Sequence, residues 1–88
     1  MTLSLIKDNQ KGKTYQADGF QFLYRKAGSM LWDNAINVTE TLYFITGAAE
    51  ISIEEQKFMV EAPVKVVIPE KTYHRIEAKS DISFILFT

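Results

Sequence analysis

Glu40 and His74 are the residues of this 88-residue sequence whose types could do acid–base chemistry together. His74 is the only histidine. Imidazole is the side chain whose unperturbed pKa lies near neutrality, so it can take a proton, give one, or bind a metal. On strand parity His74 shares a face with Ile76 and Ala78, which are apolar. Glu40 opens the run ETLYFITG and shares its face with Leu42 and Phe44. A carboxylate on such a face is costly unless it is paired, and an imidazole opposite would pair it. Two plainer readings stay open beside this one. Glu40 would stay wet at the rim of its strand, and His74 would be a buried neutral histidine bonded to a backbone carbonyl. Trp32, Met30, Asp33, Asn34 and Tyr73 are the residues expected to line a pocket near the pair, with core or dimer packing as the other role for the aromatics. Asp33, a loop acid beside a tryptophan, also reads as a turn former.

The elements that must position these groups are strands. Leu3 to Lys7, Lys13 to Ala17 and Phe20 to Lys26 alternate with period two, and Phe20, Phe22 and Tyr24 share one face. Asp8 to Gly12 and the pair Asp18 and Gly19 carry turn composition. From Ala27 to Thr39 the alternation fails, so this stretch reads as a long loop folded over the core or over a barrel mouth. Alternation resumes at Glu40 to Gly47 and at Glu50 to Glu54, then at Lys57 to Glu61 with Phe58 and Val60 inward. Pro63 breaks the pattern. Val64 to Ile68, His74 to Ala78 and Ile82 to Phe87 follow, the last apolar on both faces apart from Ser83, so it must be covered on both sides. Apolar residues nowhere recur at a helical spacing. The expected fold is therefore all-β, in a single domain spanning 1–88.

Composition narrows the classes of function. Ten basic residues are scattered among eleven acids for a formal charge of −1, which lacks the clustered basic face that nucleic acid requires. Cysteine is absent, removing disulfides, thiolate metal sites and a cysteine nucleophile. The N-terminus has no export-signal pattern and no stretch approaches the ~20 apolar residues of a membrane span, so the reading is a soluble cytoplasmic protein. The tripeptide Asn37, Val38, Thr39 is then without consequence for glycosylation. A domain of this size buries roughly 60 to 65% of its surface, and oligomerisation would add stability.

The spacing around the two candidate residues resembles that of the cupin superfamily. Its first motif ends in a glutamate, six residues and a glycine, matched by Glu40 and Gly47. Its second runs from a glycine through a proline and another glycine to a histidine, matched by Pro63, Pro69, Lys71 and His74 with both glycines replaced. Gly28 stands where cupins commonly carry a glycine. The resemblance spans about Phe20 to Phe87 and implies a small β-barrel of jelly-roll type, with Glu40 and His74 in one enclosed space. Cupins hold a divalent metal with three histidines and a glutamate. Here the first-motif histidines would fall at Asp33 or Asn34 and at Ala35 or Ile36, and none is there. Two retained ligands are too few for a tight site unless Asp33, Asn34 or water completes it.

The expected function is accordingly a metal-free barrel, without cofactor, that binds a small molecule or serves as a dimerising module. The alternative is a metal-independent isomerase or lyase in which His74 is the acid or base and Glu40 or Asp33 orients it. A degenerate metal-dependent cupin enzyme comes third. Parity turns Tyr43 and Ile45 outward, together with residues of the closing run such as Ile85 or Phe87, and such an apolar outer patch predicts a homodimer that pairs either sheet edges or outer sheet faces.

Overall fold

The computed structural model describes residues 2–88; Met1, counted in the expected domain, lies outside them. These residues form ten strands: β1 (Ser4–Asn9), β2 (Gly12–Ala17), β3 (Phe20–Arg25), β4 (Met30–Asn34), β5 (Glu40–Thr46), β6 (Ala48–Ile53), β7 (Gln56–Glu61), β8 (Val64–Ile68), β9 (His74–Ala78) and β10 (Ile82–Phe87). A six-stranded sheet runs β1-β2-β3-β10-β5-β8, and a four-stranded sheet runs β4-β9-β6-β7. Every pairing is antiparallel. The chain passes back and forth between the two layers, which makes the all-β, cupin-like flattened barrel of jelly-roll type.

Alternation decides what lies between the layers. In β5, Glu40, Leu42 and Phe44 are buried while Tyr43, Ile45 and Thr46 are exposed. In β9, His74, Ile76 and Ala78 are buried. Phe84 of β10 is fully buried, 5.0 Å from the Phe44 ring and edge-on to Trp32 at 5.8 Å. Burial of each such side chain stabilises the fold by about 1.5–3 kcal/mol. The hinge between β5 and β6 is set by Gly47, at φ 88°. A Cβ there would stand 2.1 Å from the Asp81 carbonyl oxygen, so only glycine lets the start of β10 approach this turn.

Three elements differ from expectation. The stretch read as a loop contains β4, paired to β9 through Met30↔Glu77, Leu31↔Ile76 and Asn34↔His74. Three steps along β4 from Leu31 to Asn34 match two along β9, so one extra residue is inserted as a bulge. That insertion erases the period-two signal. Phe58 lies opposite the buried Ile51 yet remains 39% exposed, on the edge strand of the four-stranded sheet. The outer side of β10 is likewise left partly open: Ile85 is half-buried and Phe87 is exposed.

Candidate functional site

Glu40 and His74 meet in the interior. Their carrying strands lie in opposite layers, and each sits at the first position of its strand on the inward parity. His74 Nε2 stands 3.0 Å from Glu40 Oε1, with both residues buried. The contact is close but poorly aligned, since neither atom has a hydrogen-bond partner at an acceptable angle. Attraction between charges or dipoles therefore carries it rather than a well-formed bond.

The other ring nitrogen constrains the tautomer. His74 Nδ1 lies 3.1 Å from the Thr72 carbonyl oxygen, which can only accept, so Nδ1 bears a hydrogen. Nε2 and Oε1 then attract each other when one proton is held between them, either on the carboxyl or on the imidazole. With no proton, two lone pairs would face each other in a buried space. Burial pushes the Glu40 carboxyl above its ordinary value, and the adjacent imidazole offsets part of that rise.

Trp32 closes one side of this pair, its ring 5.8 Å from the imidazole. By simple alternation from Leu31 it would point outward. The bulge turns it inward instead, with its backbone at φ 51°, a conformation rare for a bulky residue. Holding it there costs on the order of 1–3 kcal/mol. Lys71 shows the same left-handed backbone, φ 58°, in the turn before His74. This is the place where the cupin motif carries glycine, and the conformation gives the physical reason for that glycine. The Lys71 N–H donates to the Ile36 carbonyl at 2.6 Å, tying the turn to the segment after β4.

The remaining expected pocket residues separate into two groups. Trp32 and Met30 line a cavity of about 170 Å³ at the end of the sandwich beside the β1–β2 hairpin. Asp33 and Tyr73 are bonded to each other instead, the Tyr73 hydroxyl donating to Asp33 Oδ1, and that bond raises the Tyr73 pKa. Asn34 lies exposed at the β4 pairing position opposite His74. Neither Asp33, Asn34 nor Tyr73 lines that cavity. Sequence reasoning missed a residue that does: Arg25, which is 7% exposed and shares the inward face of β3 with Leu23. The signal was there in the alternation of FQFLYR, but its aromatic face, Phe20, Phe22 and Tyr24, is the outer one.

These residues do not fit the metal that the fold family implies. Among the described residues no group of three or more histidine, cysteine or acidic side chains converges. Nδ1 is committed to a carbonyl, Nε2 and Oε1 face each other, and the Asp33 carboxylate takes the Tyr73 hydroxyl. At the positions of the missing histidines Asp33 and Asn34 are exposed, and Ala35 and Ile36 carry no ligating atom.

No family model and no curated protein matches the sequence. Solved structures do resemble the fold. An RmlC-like cupin from Shewanella frigidimarina superposes with a TM-score of 0.80 at 10% identity, over 96% of this chain and 80% of that one. A cupin superfamily protein from Desulfitobacterium hafniense gives 0.75 at 13% identity, over 99% and 74%. The capsular polysaccharide assembling protein CapF from Staphylococcus aureus gives 0.81 at 14% identity, over 99% of this chain but 28% of its own. Two facing antiparallel sheets, a glutamate and a histidine brought together from the two motif positions, and these superpositions converge on one statement: the chain has the cupin fold.

Proposed function

We propose that this protein is a small cupin-fold module that works without a metal, binds a small organic molecule and forms a homodimer. The observation that carries the reading is the mutual closure of Glu40 and His74. The imidazole has no exposed surface, one nitrogen faces a carbonyl and the other faces the carboxyl. A general base must reach the proton it removes, and this one faces its own partner. The accessible concavity has Trp32 and Met30 in its wall and neither Glu40 nor His74.

Dimerisation is favoured by the outer face of the large sheet. Leu5, Tyr15, Phe22, Ile85 and Tyr43 follow one another across five strands as registered neighbours. Tyr43, Ile45, Val67 and Phe87 on that face are each about two-fifths exposed or more. A continuous apolar face of this kind marks an interface.

Binding is tested by following the Trp32 indole N–H resonance against a panel of small aromatic and aliphatic compounds. Shifts confined to Trp32 and its cavity neighbours are expected; an indole that none of them moves would defeat the binding reading. Sedimentation of the wild type and of Tyr43→Lys should show a dimer and a monomer respectively. Metal analysis of protein purified without chelator should return less than one transition metal per ten chains.

A second reading is favoured by the 3.0 Å approach of Glu40 to His74: a metal-independent isomerase or lyase using His74 as acid or base. It requires His74→Ala to abolish turnover of a substrate while the cavity still binds it. Retained turnover removes that reading.

A further inference from the structure

We infer that the cavities beside Trp32 form a binding site for a small organic carboxylate, with Arg25 as its anchoring cation. This deepens the small-molecule reading above and rests on it. Arg25 is more than nine-tenths buried, yet among the described residues no carboxylate lies within ion-pair distance of it. Its Nη1 donates to the carbonyls of Lys13 and Tyr24 at 2.8 and 2.9 Å, and its Nη2 donates to Thr14 Oγ1 at 2.7 Å. A guanidinium has five N–H groups, so these bonds leave the Nε hydrogen and one on Nη2 without a protein acceptor. Those nitrogens are adjacent, which is the pairing that the two oxygens of a carboxylate bridge.

The surroundings have one sign of charge. Arg25, Trp32 and Lys7 line two adjoining cavities, of about 170 and 330 Å³, and Lys11 lines the smaller. Neither cavity has an acidic residue in its wall, although acids outnumber bases in the chain as a whole. A buried charge is stable when it is paired, and here the protein supplies neutral oxygens but no counter-charge. Burial accordingly pushes the Arg25 guanidinium below its ordinary pKa. An incoming carboxylate would supply the missing charge. Trp32, Leu23 and Ile6 offer the apolar wall for the rest of the molecule, which favours a flat or aliphatic body over a fully hydrated inorganic anion.

The test is a titration followed by amide, indole and arginine Nε resonances, with benzoate, its neutral isostere benzamide, and inorganic phosphate as probes. Benzoate is expected to shift Trp32 and Arg25 together, while benzamide and phosphate leave them in place. Arg25→Lys keeps the charge but loses the fork, and should weaken benzoate roughly tenfold or more. Because Arg25 also clamps the β2–β3 hairpin, the exposed pair Lys7→Gln with Lys11→Gln gives an independent reading: benzoate should bind roughly threefold more weakly and with less dependence on salt. Equal shifts from benzoate and benzamide would overturn the carboxylate site while leaving small-molecule binding intact. Equal shifts from phosphate would overturn the choice of carboxylate. No shift from benzoate, with neutral aromatics still moving Trp32, overturns only this inference; silence from every compound defeats the binding reading as well.

Discussion

The two buried ionisable clusters of this molecule both adjoin the Trp32 indole and solve the same problem in opposite ways. At Glu40 and His74 the partner is internal: an acid and an imidazole from facing sheets stand 3.0 Å apart in a buried space. At Arg25 the protein provides three neutral acceptors and stops short of a counter-charge. A self-paired site has little left to offer a ligand, whereas an unpaired one has its strongest interaction still unused. The comparison relocates attention from the motif residues to a strand end that no motif marks.

The largest expected effect comes from removing the support of the ring that adjoins both clusters. Phe84 is fully buried against Trp32 and Phe44, so Phe84→Ala should cost about 3–5 kcal/mol in urea unfolding. Trp32 emission should shift to the red in the same variant as the indole loses its edge contact. An unchanged emission would mean that Trp32 is held by its backbone alone.

Truncating the acid tests the closed cluster directly. Glu40→Ala leaves Nε2 buried without a partner and should cost about 1–3 kcal/mol, whereas Glu40→Gln can donate an amide hydrogen to Nε2 and should recover most of it. Equal losses in both variants would show that no proton is shared there.

The same pair has a signature in pH. Folding raises the Glu40 carboxyl above its ordinary value of 4.5, chiefly through burial, so the native chain holds this proton more tightly than the unfolded one. Its contribution to stability is therefore full below the ordinary carboxyl range and is lost as pH rises through the elevated native value. Measured across a pH series, wild type should lose stability relative to Glu40→Gln as pH climbs from about 4.5. A flat difference would count against a buried, protonated pair. At Arg25 no such dependence is expected, since a guanidinium stays charged over the whole range.

The smallest effect concerns the turn that delivers His74. Lys71→Gly relieves a left-handed backbone worth roughly 1–2 kcal/mol to an L-residue but adds freedom to the unfolded chain, so a net gain below about 1 kcal/mol is expected. A loss would indicate that the lysine side chain itself is needed.

Much of the closed cluster was legible in the sequence. Period two placed Glu40 with Leu42 and Phe44, and His74 with Ile76 and Ala78, and the motif spacing carried both into one barrel. The open cluster was not, for two physical reasons. In β3 the more hydrophobic face is the aromatic one, yet the sheet turns Leu23 and Arg25 inward, so hydrophobicity pointed away from the buried side. In β4 the bulge interrupts alternation just where Trp32 turns, and a broken period looks like a loop. Asp33 and Tyr73 were both singled out, but their bond to each other joins residues forty positions apart and has no local signature.

The position of the indole is thus stored as arithmetic along β4. Any tryptophan placed after Leu31 on an unbroken strand would look at solvent, and any chain with one residue fewer between Leu31 and Asn34 would return to step and swing its ring outward. A single-codon deletion in β4 would thus take the indole away from His74 and from the cavity beside Arg25, with the other side chains around them left in place.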